Sequence, residues 1–209
     1  IGLSLVGSEM CIRDRHYGII SIISKTESGM HLESEHIIEH PLQEISVEGK
    51  GITGLAIHGN QAWACFSNVV VRLSLDDFTV QEIIENRDFF DLHGLSIYNN
   101  HLYVANTGNE SVDIINLATK EIERIDLLGH SIRKVRPLLP QGNDTKPHLH
   151  HIASVTIDNH ENLILGFVRQ QRILNLSNWE WIGTKKTSPV HDVDFINGDI
   201  WYTTVCGEI

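Results

Sequence analysis

The feature that most constrains the fold is a four-part unit running from His93 to Asp126, HGLSIYNNHLYVANTGNESVDIINLATKEIERID. Short runs rich in apolar and β-branched residues alternate in it with turn sequences such as Asn99-Asn100, where asparagine tolerates the positive φ of a tight turn. Apolar residues recur at alternate positions, as Leu95 and Ile97 do, and the i, i+3, i+4, i+7 pattern of an amphipathic helix is missing. Strands of this length and spacing predict an antiparallel meander.

Weaker copies of this unit precede and follow it: TGLAI-HGNQ-AWACF before it, ASVTI-DNHEN-LILGF and HDVDFI-NGD-IWYTTV after it. Leu55, Leu95, Val155 and Val193 occupy equivalent positions and are separated by 40, 60 and 38 residues. A period of about 40 residues with four strands per repeat is typical of a β-propeller blade. The sequence therefore predicts an all-β fold, a β-propeller of four-stranded antiparallel blades.

The predicted units divide most of the chain. They cover residues 16–50, 51–86, 93–127, 151–186 and 191–209, and an inserted loop occupies 127–147. Residues 1–15 match no repeat, and the run 4–15 looks like a translated sequencing adapter, so we set residues 1–15 aside as non-native and treat 16–209 as one partial propeller domain. About three blades are complete and two partial, so we expect a propeller truncated at both ends.

A bulky side chain recurs near the start of the second strand of each copy: Trp63, Tyr103, Ile164 and Trp201. We expect these side chains to wedge between neighbouring sheets.

Charge and hydropathy narrow the classes of partner. The formal net charge is −11, and clustered Lys and Arg, which phosphate contacts need, are missing. No apolar run approaches the roughly 20 residues that span a bilayer. We therefore expect neither nucleic acid nor a membrane as a partner. The three cysteines form no spaced pair, so we expect free thiols, which favour the cytoplasm, while a missing N-terminus leaves the compartment open.

Histidines mark the predicted mouth of the propeller. The innermost strand of each blade begins at one face of the central channel, and the link between the second and third strands returns to that face. The residues expected there are Thr53, His93, His148, His150, His151, His191 and Asp192 at the strand starts, and Asn68, Asn106, Asn109, Arg169 and Gln170 in the links. The other histidines, His16, His31, His36, His40, His58, His101, His130 and His160, are expected at the surface or in turns.

Two interpretations of the mouth stay open. In the functional one, His93, His151 and His191 converge within about 5 Å and bind a divalent metal, Zn²⁺ or Ca²⁺, or His151 acts as a general base. Arg169 then holds a carboxylate or sulfate, and His148, His150, Asn106, Asn109 and Asp192 contact the ligand. In the structural one, each histidine hydrogen-bonds a backbone carbonyl of the neighbouring blade.

The segment HGLSIYNNHLYVANTGNESVDIINLATKEI resembles the β-propellers that include NHL repeats and the senescence-marker-protein/gluconolactonase type. The insertion followed by HLHHIASVTID is similar to an uncharacterised propeller family known only as a domain of unknown function. The resemblance implies a propeller over residues 51–209, in a group similar in fold to lactonases, strictosidine synthase-like enzymes, streptogramin lyases and aryl-sulfate transferases. The lactonase type uses Glu, Asn and Asp as metal ligands, and the histidine-lined mouth departs from that pattern.

The sequence thus supports two functions. The first is a propeller that binds a small molecule at its mouth, with or without a metal, as a hydrolase or lyase. The alternative is a non-catalytic scaffold whose rim binds protein or glycan partners.

Overall fold

The computed structural model describes residues 2–5, 17–42, 44, 50–127, 150–182 and 189–206. Nearly all of the regular structure in these ranges is β, and a short 3-10 helix lies at Thr107–Asn109. No helix in these ranges is long and apolar enough to cross a membrane. The inserted loop predicted at 127–147 lies, apart from Leu127, outside the described residues.

The strands form separate antiparallel sheets in chain order. The first sheet contains β1 (Gly2–Leu5), β2 (Tyr17–Thr26) and β3 (Gly29–Glu39). The second contains β4 (Gly54–His58), β5 (Gln61–Phe66), β6 (Val69–Ser74) and β7 (Val80–Glu85). The third contains β8 (Leu92–Tyr98), β9 (His101–Asn106), β10 (Ser111–Asn116) and β11 (Ile122–Asp126). The fourth contains β12 (Ile152–Ile157), β13 (Leu163–Phe167), β14 (Arg172–Asn175) and β15 (Glu180–Ile182), and the fifth β16 (Val190–Ile196) and β17 (Asp199–Thr204).

Each sheet is an up-and-down meander in which every strand pairs with the next one in sequence. The tight turns follow from local chemistry: Asn99 and Asn100 connect β8 and β9 with φ of 46° and 60°, as the sequence predicted. The predicted all-β fold of four-stranded antiparallel sheets is confirmed. The segment set aside as non-native contributes β1, whose backbone pairs with β2 in register Gly2↔Ile23.

The core lies between successive sheets. One apolar cluster joins the first sheet to the second, a second cluster joins the second sheet to the third, and two more continue to the fourth and fifth. Both faces of each complete sheet are therefore buried against neighbours, which is the radial stacking of propeller blades.

The predicted wedges fit this stacking with one exception. Trp63 and Ile164 are buried between sheets, and Tyr103 packs against the cluster shared by the third and fourth sheets. Trp201 is half exposed, because it lies in the fifth sheet and no described sheet follows it.

The first strands of the sheets form a hub, in which β8 contacts both β4 and β12, and β12 contacts β16. Their backbones meet closely at glycines. A Cβ added to Gly94 would lie 2.8 Å from Ser154 Cα, and one added to Gly54 would lie 2.4 Å from the His93 carbonyl oxygen. Only glycine fits these two positions without a backbone shift, so the beginnings of neighbouring blades are held at short distances.

Candidate functional site

Two residues with left-handed backbone precede the inner strands of the third and fourth sheets. Asp91 and His151 stand four residues before the equivalent positions Leu95 and Val155, and their φ values are 50° and 57°. The pairing register shifts just after each of them, between Leu92 and Leu95 and between Ile152 and Ser154. Non-glycine residues rarely adopt this conformation, and both bulges and such backbone strain concentrate at functional sites.

A row of polar side chains crosses three sheets at this end of the hub. The Lys50 Nζ atom lies 3.0 Å from Asp91 Oδ1, and the same oxygen lies 3.6 Å from His93 Nε2. The His93 ring meets the His151 ring at 4.8 Å between centroids, with 66° between the ring planes. We call these four residues the mouth row.

Burial gives the mouth row its electrostatic character. The side chain of Asp91 is 0% exposed, that of His93 3% and that of Lys50 15%. A buried carboxylate needs a compensating charge and donors, and Lys50 supplies the nearest ammonium. The partly buried His151 lies at the outer end of the row. The arrangement therefore places a carboxylate behind one imidazole and that imidazole beside a second.

Thr53 and Cys65, on the second sheet, hydrogen-bond to the start of β8. The Thr53 hydroxyl donates to the Leu92 carbonyl at 2.7 Å, and the Cys65 thiol donates to the His93 carbonyl at 2.6 Å. Burial raises the pKa of the Cys65 thiol to about 12. The thiol is thus a neutral structural donor, and Thr53, which was expected at the mouth, fixes the main chain on which His93 stands.

His150 lies in a second polar group beside the mouth row. Its backbone N–H donates to Glu110 Oε1 at 2.9 Å, and its ring Nδ1 lies 2.6 Å from Gln170 Nε2. Glu110 is 5% exposed. Sequence reasoning missed Glu110, and its position in the link between the second and third strands was the only signal that could have found it.

The predicted ligand-binding asparagines hold the chain segment that leads into the third sheet. The Asn106 amide donates to the Asp88 carbonyl and to Asp113 Oδ2, both at 2.7 Å, and accepts from the Phe90 N–H. Asn109 also donates to the Asp88 carbonyl. These contacts are structural.

Asn68 lies in a link as expected, but it bonds to a histidine that was expected at the surface. His40 Nε2 lies 2.9 Å from Asn68 Oδ1, and the His40 ring packs at 4.7 Å from that of Phe66. His40 is buried, so it does not lie at the surface, one of the two places expected for it, and it stands directly after β3, outside the strands. This contact joins the first sheet to the second.

The other predicted site residues that the structure describes have exposed side chains. Arg169 is exposed, and its backbone N–H donates to the His150 carbonyl at 3.3 Å. His191 Nδ1 lies 3.2 Å from Asp192 Oδ2, with both side chains well exposed. His148 lies outside the described residues.

The three-histidine metal site does not assemble. In the part of the chain that the structure describes, no group of three or more His, Cys, Asp or Glu side chains is arranged to hold a metal ion. His93 and His151 come together, while His191 does not complete a ligand set with them. A metal at the mouth therefore stays a prediction.

Searches with the sequence found no matching family model and no matching curated protein. The structure is similar to solved β-propellers. A protein of unknown function from Bacteroides caccae aligns with a TM-score of 0.56 at 11% identity, covering 97% of this chain and 64% of that one. A catalytically inactive histidine-to-alanine variant of virginiamycin B lyase from Staphylococcus aureus, solved with quinupristin, aligns with a TM-score of 0.53 at 15% identity, covering 90% and 60%. The WD40 propeller domain of Doa1 aligns with a TM-score of 0.53 at 9% identity, covering 90% and 58%.

The chain thus spans about 60% of the length of these propellers. At such low identities the likeness reaches only the architecture, and the members compared include a lyase and a WD40 domain. The architecture of this chain is that of a β-propeller.

Proposed function

We propose that this propeller binds a small anionic molecule at the end of its channel and that His151 transfers a proton in a hydrolase or lyase reaction on it. The observation that carries the proposal is the mouth row, in which Lys50, Asp91, His93 and His151 make successive contacts across three sheets.

The chemistry suits acid–base catalysis. Imidazole ordinarily titrates at about pH 6.5, so a histidine at the mouth can both accept and donate a proton near neutrality. In a lyase step His151 would take the proton from the carbon next to a carbonyl, a carbon–carbon double bond would form, and the bond from the adjacent carbon to the leaving ester oxygen would break to release a carboxylate. In hydrolysis His151 would take a proton from the attacking water and return it to the alkoxide that leaves the ester carbonyl. His93, with Asp91 behind it, orients the neighbouring ring and stabilises positive charge there.

Arg169 supports the anionic character of the ligand. Its guanidinium is exposed on the link that bonds to His150, and guanidinium groups bind carboxylate or sulfate by paired hydrogen bonds. Two carboxylates at this end of the hub are already engaged, because Asp91 is paired with Lys50 and Glu110 accepts the His150 N–H.

The comparison with virginiamycin B lyase is consistent with the proposal, because its histidine-to-alanine variant is described as catalytically inactive. A metal-assisted form with Zn²⁺ or Ca²⁺ would need donors beyond His93 and His151, since catalytic zinc sites usually have three protein ligands. The proposal therefore assigns the proton transfer to the imidazoles alone.

The test uses the full chain and a panel of cyclic esters, in which lactones bearing a carboxylate or sulfate group are compared with simple neutral lactones and quinupristin, followed by liquid chromatography and mass spectrometry. Ring opening by elimination leaves the mass of the compound unchanged, whereas hydrolysis adds one water. We expect turnover of at least one compound, and we expect His151→Ala to reduce it by about 100-fold or more.

His160→Ala serves as the matched control, because His160 is exposed in the turn between β12 and β13. Equal losses in both variants, or no turnover and no binding across the panel by the wild-type chain, would sink the proposal. Metal analysis of the same preparation decides between the imidazole and metal-assisted forms.

The second candidate is a non-catalytic scaffold for protein or glycan partners. It is favoured by two exposed aromatic side chains at the outer edge of the fourth sheet, Trp179 in a turn and Trp181 on β15. Aromatic residues of this kind often carry the binding energy of interfaces. Retained partner binding by His151→Ala, together with its loss in Trp179→Ala, would favour the scaffold.

A further inference from the structure

His151 combines the role proposed for it at the mouth with an unusual main-chain conformation. Its φ of 57° is uncommon for a residue with a side chain, so neighbouring contacts must hold it. The hydrogen bonds of the peptide groups around it show what holds this conformation.

Two contacts come from the same sheet. The Val168 N–H donates to the His151 carbonyl at 3.1 Å, and the Arg169 N–H donates to the His150 carbonyl at 3.3 Å. These bonds belong to the turning end of β13 and fix the carbonyl side of the segment.

Two further contacts come from the preceding sheet, and both start in the link between β9 and β10. The Glu110 carboxylate accepts the His150 N–H at 2.9 Å, and the Thr107 hydroxyl donates to the Ile152 carbonyl. The link thus grips the main chain on both sides of His151. Glu110 itself has a left-handed backbone, with φ of 53°, at the end of the short 3-10 helix, and this turn directs its side chain towards His150.

A related contact occurs one sheet earlier, where the hydroxyl comes from the residue before the inner strand β4 and not from a link. Asp91 is the other left-handed residue of the mouth row, and the carbonyl of the residue after it, Leu92, accepts a hydroxyl hydrogen bond from Thr53 of the preceding sheet. Leu92 and Ile152 are equivalent positions, each three residues before Leu95 and Val155. A hydroxyl from the preceding blade therefore holds the strained corner in both cases.

The contact from Glu110 has no equivalent among the contacts given above for the Asp91 corner. Its side chain is 95% buried, and its second oxygen, Oε2, has no hydrogen-bond partner among the described residues. Burying a polar side chain is costly unless hydrogen bonds compensate it, so the bond to the His150 N–H is the described contact that holds Glu110 at this corner.

We propose that Glu110 is a positioning residue for His151. It accepts the His150 N–H and so holds the main chain on the N-terminal side of the left-handed His151, whose ring lies against His93, with Thr107 holding the other side. This inference rests on the proposed function for its catalytic meaning, while the positioning itself is measured without any ligand.

The test compares Glu110→Ala, which removes the acceptor, with Glu110→Gln, which keeps an oxygen for the His150 N–H. Amide hydrogen exchange reports the contact directly. We expect exchange at His150 to become about tenfold faster in Glu110→Ala and to stay within about twofold of wild type in Glu110→Gln, with the core amide of Val104 unchanged in both.

A second measurement reports the ring of His151. Carbethoxylation by diethyl pyrocarbonate, followed by peptide mapping, gives the rate at His151 relative to exposed His160. We expect Glu110→Ala to change this ratio at least about threefold, and Glu110→Gln to restore it. Should Glu110→Ala fail to fold, Thr107→Val tests the opposite side of the clamp by the same ratio.

An unchanged exchange rate at His150 in Glu110→Ala would overturn the positioning role, as would equal acceleration at His150 and Val104. The quinupristin and lactone panel, run on the same variants, tests the proposed function separately. If the wild-type chain turns over none of these compounds, the proposed reaction is ruled out. The exchange and carbethoxylation results then still decide whether Glu110 positions His151.

Discussion

The pairing of Lys50 with Asp91 is the contact in the mouth row whose energy can be measured most directly. The Asp91 carboxylate is fully buried, and its Oδ1 lies 3.0 Å from the Lys50 ammonium, which keeps slight contact with solvent. Asp91→Asn is well suited to the left-handed backbone at this position, because asparagine tolerates φ near 50° better than most residues. The substitution therefore tests the charge with little change in backbone strain.

The two single variants should differ in cost. Breaking a buried ion pair typically costs 3–5 kcal/mol, and we expect Lys50→Met to fall near about 4 kcal/mol because it leaves a fully buried carboxylate. Asp91→Asn should cost less, about 2–3 kcal/mol, because the Lys50 ammonium retains some hydration. The double variant should be no less stable than Lys50→Met, which corresponds to a coupling energy of about 2 kcal/mol or more.

Urea unfolding followed by tryptophan fluorescence measures these free energies by linear extrapolation. A change in slope between variants would be checked by circular dichroism before the free energies are compared. The reasoning is refuted if the two single costs add to within about 0.5 kcal/mol in the double variant, or if Asp91→Asn costs less than about 0.5 kcal/mol.

Three further predictions concern the blades and the hub. Trp63→Ala should cost about 3–5 kcal/mol in urea unfolding because the ring is buried between sheets, and Trp201→Ala, at the equivalent but half-exposed position, should cost less than half as much. Iodoacetamide at about pH 8 should modify exposed Cys206 and spare Cys65, because burial raises the pKa of the Cys65 thiol to about 12 and keeps it protonated. Since that pKa is raised in the folded state from an ordinary value of 9.0, the free energy of unfolding should fall as the pH rises from 9.0 towards about 12, and Cys65→Ala should remove that share. Gly94→Ala should lower the free energy of unfolding by about 1–3 kcal/mol or more, because its Cβ would meet the Ser154 backbone, and a loss below about 0.5 kcal/mol would contradict the close approach of the inner strands.

The repeats could be predicted from the sequence because their signals are local. Alternating apolar residues and paired turn asparagines act within a few positions, and the strands around Asn99 and Asn100 follow that pattern. Trp201 shows the limit of prediction from local signals, because the burial of its side chain depends on a neighbouring sheet and not on its own strand.

The site was predicted only in part. His93 and His151 were expected at one mouth and do contact each other. They were predicted only at roughly matched positions: His93 stands two residues before Leu95 and His151 four before Val155, so that His151 aligns with Asp91. Lys50 and Glu110 could not be predicted from the sequence, because each contacts a residue of another sheet. These contacts form at positions with left-handed backbone, which composition does not indicate.

The glycines of the hub let main-chain contacts fix the position of the inner strands, while the side chains at the mouth provide the chemistry. Because β4, β8 and β12 meet main chain to main chain at Gly54 and Gly94, the spacing of these inner strands is set by atoms that every amino acid shares. Side chains on the rim can then be exchanged during evolution while the opening keeps its dimensions. A scaffold built in this way can acquire new ligands through a few substitutions at the corners, without being rebuilt at its centre.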